Sequence, residues 1–169
     1  MEIIVAMGVF SILILAVMGI FTSSLRGQQA IIAQARVDRE AQLLLQTLAK
    51  RIRSSRVDYE AYGGTVSSSE NTLNLIDQSD TQLSFVYDSS NNEIDVVFDS
   101  GSPIPISSGN VSVTDLVFYI TPSANPFAPG ASPGVQPRVT IVMTLSASEG
   151  KTQVSSTIQQ TIPQRGGIY

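Results

Sequence analysis

Glu2-Ile3-Ile4-Val5-Ala6-Met7-Gly8-Val9-Phe10-Ser11-Ile12-Leu13-Ile14-Leu15-Ala16-Val17-Met18-Gly19-Ile20-Phe21 decides how this chain of 169 residues is built. From Ile3 to Phe21 it holds no charge, and Ser11 is its only polar side chain. As a helix rising about 1.5 Å per residue the run is roughly 28 Å long, close to the hydrocarbon thickness of a bilayer. It is long enough to cross one. Beyond it the pattern turns amphipathic: Ala30, Ala33, Val37, Ala41, Leu44, Leu48 and Ile52 recur every three or four residues, with Gln34, Arg36, Asp38, Arg39, Gln42 and Gln46 elsewhere around the wheel. One helix is therefore predicted from Glu2 to about Ser54. No proline interrupts residues 1–102, and Gly8, Gly19 and Gly27 soften the first half.

Charge divides the chain as sharply as hydropathy does. Residues 26–56 hold seven of the ten basic residues (Arg26, Arg36, Arg39, Lys50, Arg51, Arg53, Arg56) against two acids, Asp38 and Glu40. From Val57 onward there are eleven acids and three bases. A basic stalk carries an acidic head. An acidic head cannot drive counterion release from phosphates, so nucleic-acid binding by the head is excluded, while stalk arginines can touch anionic lipid. The chain has no cysteine and no histidine. Disulfides, thiolate metal sites and imidazole catalysis are thereby unavailable. No Gly-rich phosphate loop, Gly-x-Ser-x-Gly elbow or convergent nucleophile and base is present, so no enzyme and no cofactor are expected.

Ser54, Ser55, Tyr62, Gly63, Gly64 and the run Ser67–Ser69 close the helical pattern and read as a linker-like loop. The period then becomes two. Thr72–Ile76 reads as a strand, Gln82–Tyr87 and Glu93–Phe98 as a hairpin around Asp88-Ser89-Ser90-Asn91-Asn92, and Val111–Thr121, Arg138–Ser146 and Gln153–Ile162 as three longer strands. Five prolines (Pro122, Pro126, Pro129, Pro133, Pro137) with Gly130 and Gly134 mark a long loop around Phe127, a candidate contact tip or merely an exposed connection. The expected layout is α+β. A long N-terminal membrane-spanning helix, with an apolar half over residues 1–25 and an amphipathic half over 26–56, packs by the latter against an antiparallel β-rich head over 57–169.

Smaller features have bland readings beside functional ones. Asp88, Asn91, Asn92, Glu93, Asp95 and Asp99 offer oxygen ligands for calcium, but lack the spacing and central glycine of an EF-hand and read as a solvated turn. Arg36 with Glu40, and Asp38 with Gln42, read as ordinary pairs on the helix surface. The sequon Asn110-Val111-Ser112 reads as a chance match. A carboxylate such as Glu2 at the lip of a membrane run ordinarily lies at the headgroups.

The string Met1-Glu2-Ile3-Ile4-Val5-Ala6-Met7, continued by Val9-Phe10-Ser11-Ile12-Leu13, resembles the N-terminal signature of type IV pilins and pseudopilins. That signature is a glutamate shortly after the processed N-terminus, then an unbroken apolar helix. The order of helix, Gly/Ser linker, hairpin, Val113–Tyr119 strand, Pro-rich loop, Pro137–Ile141 and Ile162-Pro163-Gln164-Arg165 resembles minor pilins and J-type pseudopilins. The leader glycine and following phenylalanine of family precursors, the helix-kinking proline of major subunits and the C-terminal cysteine pair of many pilins are absent from this sequence. The expectation is therefore a minor subunit whose given sequence starts a few residues inside the mature chain, or whose Met1 replaces the true start.

The resemblance implies a structural subunit of a type IV pilus, competence or type II secretion filament. It would insert as a single-pass protein of the cytoplasmic membrane with its head extracytoplasmic, then join a periplasmic or cell-surface filament serving protein transport or cell adhesion. It implies a filament-core helix in which Ile3, Val5, Met7, Val9, Phe10, Leu13, Val17 and Phe21 exchange lipid for neighbouring subunits, and Glu2 pairs with the N-terminal ammonium of an adjoining subunit. The implied partners are other pilin-like subunits, an inner-membrane assembly platform, the lipid bilayer and, where a leader exists upstream, a prepilin peptidase, with prepilin methylation at the processed end. Positive-inside counting on these residues alone would leave the head in the cytoplasm; a basic leader upstream reverses that count. The other reading of the chain is a permanently anchored sensor or ligand-binding ectodomain.

Overall fold

The computed structural model describes residues 2–130 and 135–164. Met1, Pro133 and Gly134 of the Pro-rich loop, and Arg165 of the closing motif lie outside the described residues. Helix α1 runs unbroken over Glu2–Ser54. It is followed by β1 (Arg56–Val57), a 3-10 turn (Glu60–Tyr62), β2 (Thr72–Ile76), β3 (Gln82–Asp88), β4 (Glu93–Phe98), β5 (Ile104–Pro105), β6 (Ser112–Thr121), β7 (Arg138–Glu149) and β8 (Thr152–Pro163). All strand pairings are antiparallel, in two sheets ordered β1-β2-β3-β4-β5 and β6-β7-β8.

Only the distal half of α1 is in the core. Ala33, Val37, Ala41, Leu44, Leu48, Ala49 and Ile52 are buried, a stripe recurring every three or four residues. The stripe packs against the inner faces of β7 and β8, where Val139, Ile141, Met143, Leu145 and Ile162 are fully covered. Alternation along β7 follows from the two-residue period of a strand with one buried face. In β6 the buried set switches from Val113 to Leu116, Phe118 and Ile120, which strict alternation forbids. A register shift between Val113 and Asp115 resets the parity, as a β-bulge does.

The direction of β8 is fixed by contacts at its two ends. At the β7–β8 turn, Glu149 pairs with Arg36, and a Cβ on Gly150 would lie 3.0 Å from the Gln29 side chain. At the other end, Gln164 Nε2 donates to the Ser55 carbonyl just past the helix, 2.9 Å away. Strand β8 thus runs alongside α1 in the same direction. Gly150 is held at φ +59 in the two-residue turn, a conformation that favours glycine.

Three expectations change. The segment after the helix is a packed strap and not a linker: Tyr59 and Val66 are buried, Tyr59 Oη donates to the Pro122 carbonyl at 3.0 Å, and Tyr62 Oη donates to that of Thr72 at 2.9 Å. Aromatic area outweighs the Gly/Ser turn signals around it. Arg36 does not pair with Glu40, since Arg36 reaches Glu149 and Glu40 Oε1 accepts the Ser108 N–H at 2.7 Å. Asp38 accepts from Gln34 and not Gln42, at 2.8 Å. For Arg36 and Glu40, sheet and loop groups held in place by the fold replace the neighbour on the helix surface, whereas Asp38 keeps a helix neighbour one turn earlier.

Candidate functional site

The candidate site is the proximal half of α1. Every residue from Glu2 to Gln28 is exposed, and the most apolar stretch is not buried by any other described residue. The helix is long and apolar enough to cross a membrane. Ile3 is 76 % exposed and Phe10 64 %. Val5, Met7, Val9, Leu13, Val17 and Phe21 are likewise bare. These residues are not gathered into a pocket. They point all round one helix, and a helix apolar on every side belongs in lipid or in a bundle.

Local chemistry agrees with a dry environment. Ser11 Oγ donates to the Met7 carbonyl at 2.8 Å, and Thr22 Oγ1 to that of Gly19 at 3.0 Å. Returned to the backbone in this way, a hydroxyl can enter hydrocarbon without an unmet donor. Glu2 lies in the first turn, where unpaired N–H groups favour a negative charge, and its carboxylate is exposed.

A second feature lies at the distal end of the head. An open groove runs between the flank of α1 (Gln42, Leu45, Gln46, Ala49, Lys50, Arg53) and the end of β8 (Gln159, Gln160, Gln164), with Phe127 and Asn125 of the Pro-rich loop at its border. Ser55, also lining it, has a buried hydroxyl without a partner among the described residues. Arg56 is engaged by Asp80 at 3.0 Å, whereas Lys50 and Arg53 form no ion pair among the described residues. Nothing in the sequence pattern pointed to this groove, because it is made by elements far apart in the chain.

In the acidic hairpin, carboxylates are hydrogen-bonded to neighbouring backbone and side-chain groups. Asp88 Oδ1 accepts the Ser90 N–H and Oδ2 the Asn91 side-chain amide, both at 2.8 Å, and these bonds hold the carboxyl below its ordinary range. Asp99 accepts the Gln82 N–H at 2.9 Å. Asp95 is shifted the other way, raised by partial burial and then by the nearby Asp88 charge. The carboxylates build the turns, as Asp and Asn do in loops. In the strap, burial pushes the Tyr59 and Tyr62 phenols up to about 12.

No family model, curated protein or solved structure matches the chain.

Proposed function

We propose that this chain is a structural assembly subunit, a minor pilin or pseudopilin of a type IV pilus, competence or type II secretion filament. Its proximal helix enters the cytoplasmic membrane and later bundles with the helices of other subunits, while the head stays extracytoplasmic. The observation that carries the reading is a single helix buried on one stripe distally and apolar on all sides proximally, with no cover from the other described residues over residues 2–28. In the bilayer those side chains are covered by lipid, and in a filament by neighbours; the hydrophobic gain is similar, so the exchange needs only good packing and polar pairing to favour it.

Glu2 supplies the polar pairing. A carboxylate in a dry bundle is costly unless it meets a cation, and the N-terminal ammonium of a neighbouring subunit is the cation such an arrangement brings to it. Expressed alongside the wild-type chain, Glu2→Ala and Glu2→Leu should fractionate with the membrane as before. Their share in sedimentable filaments should fall roughly tenfold or more, the equivalent of ~1.4 kcal/mol. Normal incorporation of both variants would remove Glu2 from the account.

The distal groove favours a second reading, a permanently anchored head that binds a ligand. In that case the chain stays in the membrane fraction and never sediments with filaments.

A further inference from the structure

Among the described residues, strand β8 is an uncovered edge over its whole length. The order β6-β7-β8 leaves its outer side without a neighbouring strand. The ladder to β7 continues into a bond from the Gln164 N–H to the Pro137 carbonyl, 2.9 Å, so the hydrogen-bonded pairs are those that place the even-numbered residues of β8 against β7. Two observations agree with that parity. The Thr140–Thr161 and Thr144–Thr157 hydroxyl pairs sit at the intervening positions, where side chains approach most closely, and Pro163 occupies an odd position where no N–H is needed. The N–H and C=O groups of Gln153, Ser155, Thr157, Gln159 and Thr161 therefore point outward, and they have no hydrogen-bond partner among the described residues.

The other edges are protected. Strands β1 and β5 are two residues long, β5 ends in Pro105 and follows Pro103, and β6 is bridged by Glu70 through mutual bonds with Phe118 of 2.9 and 2.8 Å. Strand β8 has twelve residues with no charge, no bulge and no proline before its last position. Edges of that length are normally blunted by lysine, proline or a bulge.

We infer that the β8 edge is a docking site for an extended segment of a different polypeptide chain, which adds to the sheet as a fourth strand beside the α1 flank and carries a carboxylate toward Lys50 and Arg53. The choice of occupant rests on the membrane-anchored reading of α1. Two copies of β8 paired antiparallel are related by a two-fold axis normal to the sheet. The helix lies on that sheet along β8, so the axis would reverse it and send the two apolar halves in opposite directions. Parallel pairing keeps the helices aligned, but both strands present odd-numbered groups, and a parallel ladder sets an outward residue against an inward one. Two copies would then be offset by an odd number of residues, which no closed two-fold dimer allows. A different chain meets neither restriction, and main-chain bonding to an exposed edge is a general mode of segment recognition. The cations at the distal end of the groove, which form no ion pair among the described residues, set the sign of the charge it carries.

Amide hydrogen exchange on the full chain, resolved to single residues, tests this. The sample in native membranes with co-assembled neighbours is compared with the same chain purified in detergent. In the assembled sample the amides of residues 155, 157, 159 and 161 should exchange at least ~100-fold more slowly, and Thr157→Pro, which deletes an outward N–H and the hydroxyl pair with Thr144 but no ladder bond to β7, should abolish that slowing without changing the even-numbered amides. If Thr157→Pro fails to fold, Gln159→Lys serves as the second block. Replacing Lys50 and Arg53 by Gln should reduce the slowing about tenfold. Unchanged exchange at the odd amides in sedimented assemblies would overturn the docking site while leaving the filament reading intact. Slowing in the purified chain alone, growing with its concentration, would assign the edge to a second copy and overturn the occupant named here.

Discussion

The two halves of α1 share a backbone and differ in what their side chains meet. From Glu2 to Gln28 nothing is buried, although apolar residues lie on every side. From Ala33 to Ile52 seven side chains are buried, and they fall on one stripe. Both halves are helical even though Gly8, Gly19 and Gly27 all fall in the proximal one, so propensity does not decide what each half meets. The arrangement of the apolar residues does. A stripe can be satisfied by one sheet, here β7 and β8, whereas an all-round apolar surface can be satisfied only by a surrounding medium or a ring of neighbours. The described residues supply a partner for the distal half and none for the proximal half.

Truncating the distal stripe gives the largest effect in this contrast. Leu44→Ala or Leu48→Ala should cost the head about 2–5 kcal/mol in denaturant titrations in detergent, while Leu13→Ala should change head stability by less than about 0.5 kcal/mol. Equal losses at both places would erase the distinction between the halves. Next comes the tie between helix and head. Glu40→Ala leaves the Ser108 N–H without its acceptor and should cost about 1–3 kcal/mol. Arg36→Ala opens a partly exposed ion pair with Glu149 and should cost at most about 1 kcal/mol.

A smaller effect is set by pH. The Tyr59 and Tyr62 phenols are raised by burial, so the folded head holds their protons after an unfolded chain has released them. Their contribution is complete below the ordinary tyrosine range near 10 and is lost as pH rises toward about 12. Phenolate absorbance should show a late step near 12 coinciding with unfolding; titration of both rings near 10 in the folded head would contradict their burial. A small change is also expected from deleting residues 2–28. With no buried side chain among them, the remaining chain should melt within a few degrees of the full one, a shift corresponding to less than about 1 kcal/mol.

The α+β layout was legible because its signals are long. Nineteen residues from Ile3 to Phe21 with one polar side chain, a stripe through Ile52, and alternation in β2, β3, β4, β6, β7 and β8 each repeat often enough to be read from the chain. What escaped is short or tertiary. Strands β1 and β5 have two residues each, too few to show a period. Two sheets rather than one are a matter of which strands pair across the chain, and the bulge beyond Val113 depends on β7 beside it. Glu40 was read with Arg36, its helix neighbour, because Ser108 lies 68 residues further along the chain. At the candidate site, Glu2 and the apolar run were visible as composition. The open edge of β8 was not, since edge or centre is a property of strand order and leaves no mark on the strand itself.

The central claim is that the proximal half of α1 is a surface shared with other subunits, while the distal half belongs to its own head. The chain has no cysteine, so single replacements report contacts directly. Chains carrying one cysteine at Val5, Val9, Leu13 or Val17, or at the buried Leu44, would be oxidised in native membranes during assembly and the linked species resolved by mass. The account predicts disulfide-linked pairs of subunits from several of the four proximal positions and none from position 44. Absence of links at every proximal position in assembling cells, or links formed as readily at position 44, would contradict it.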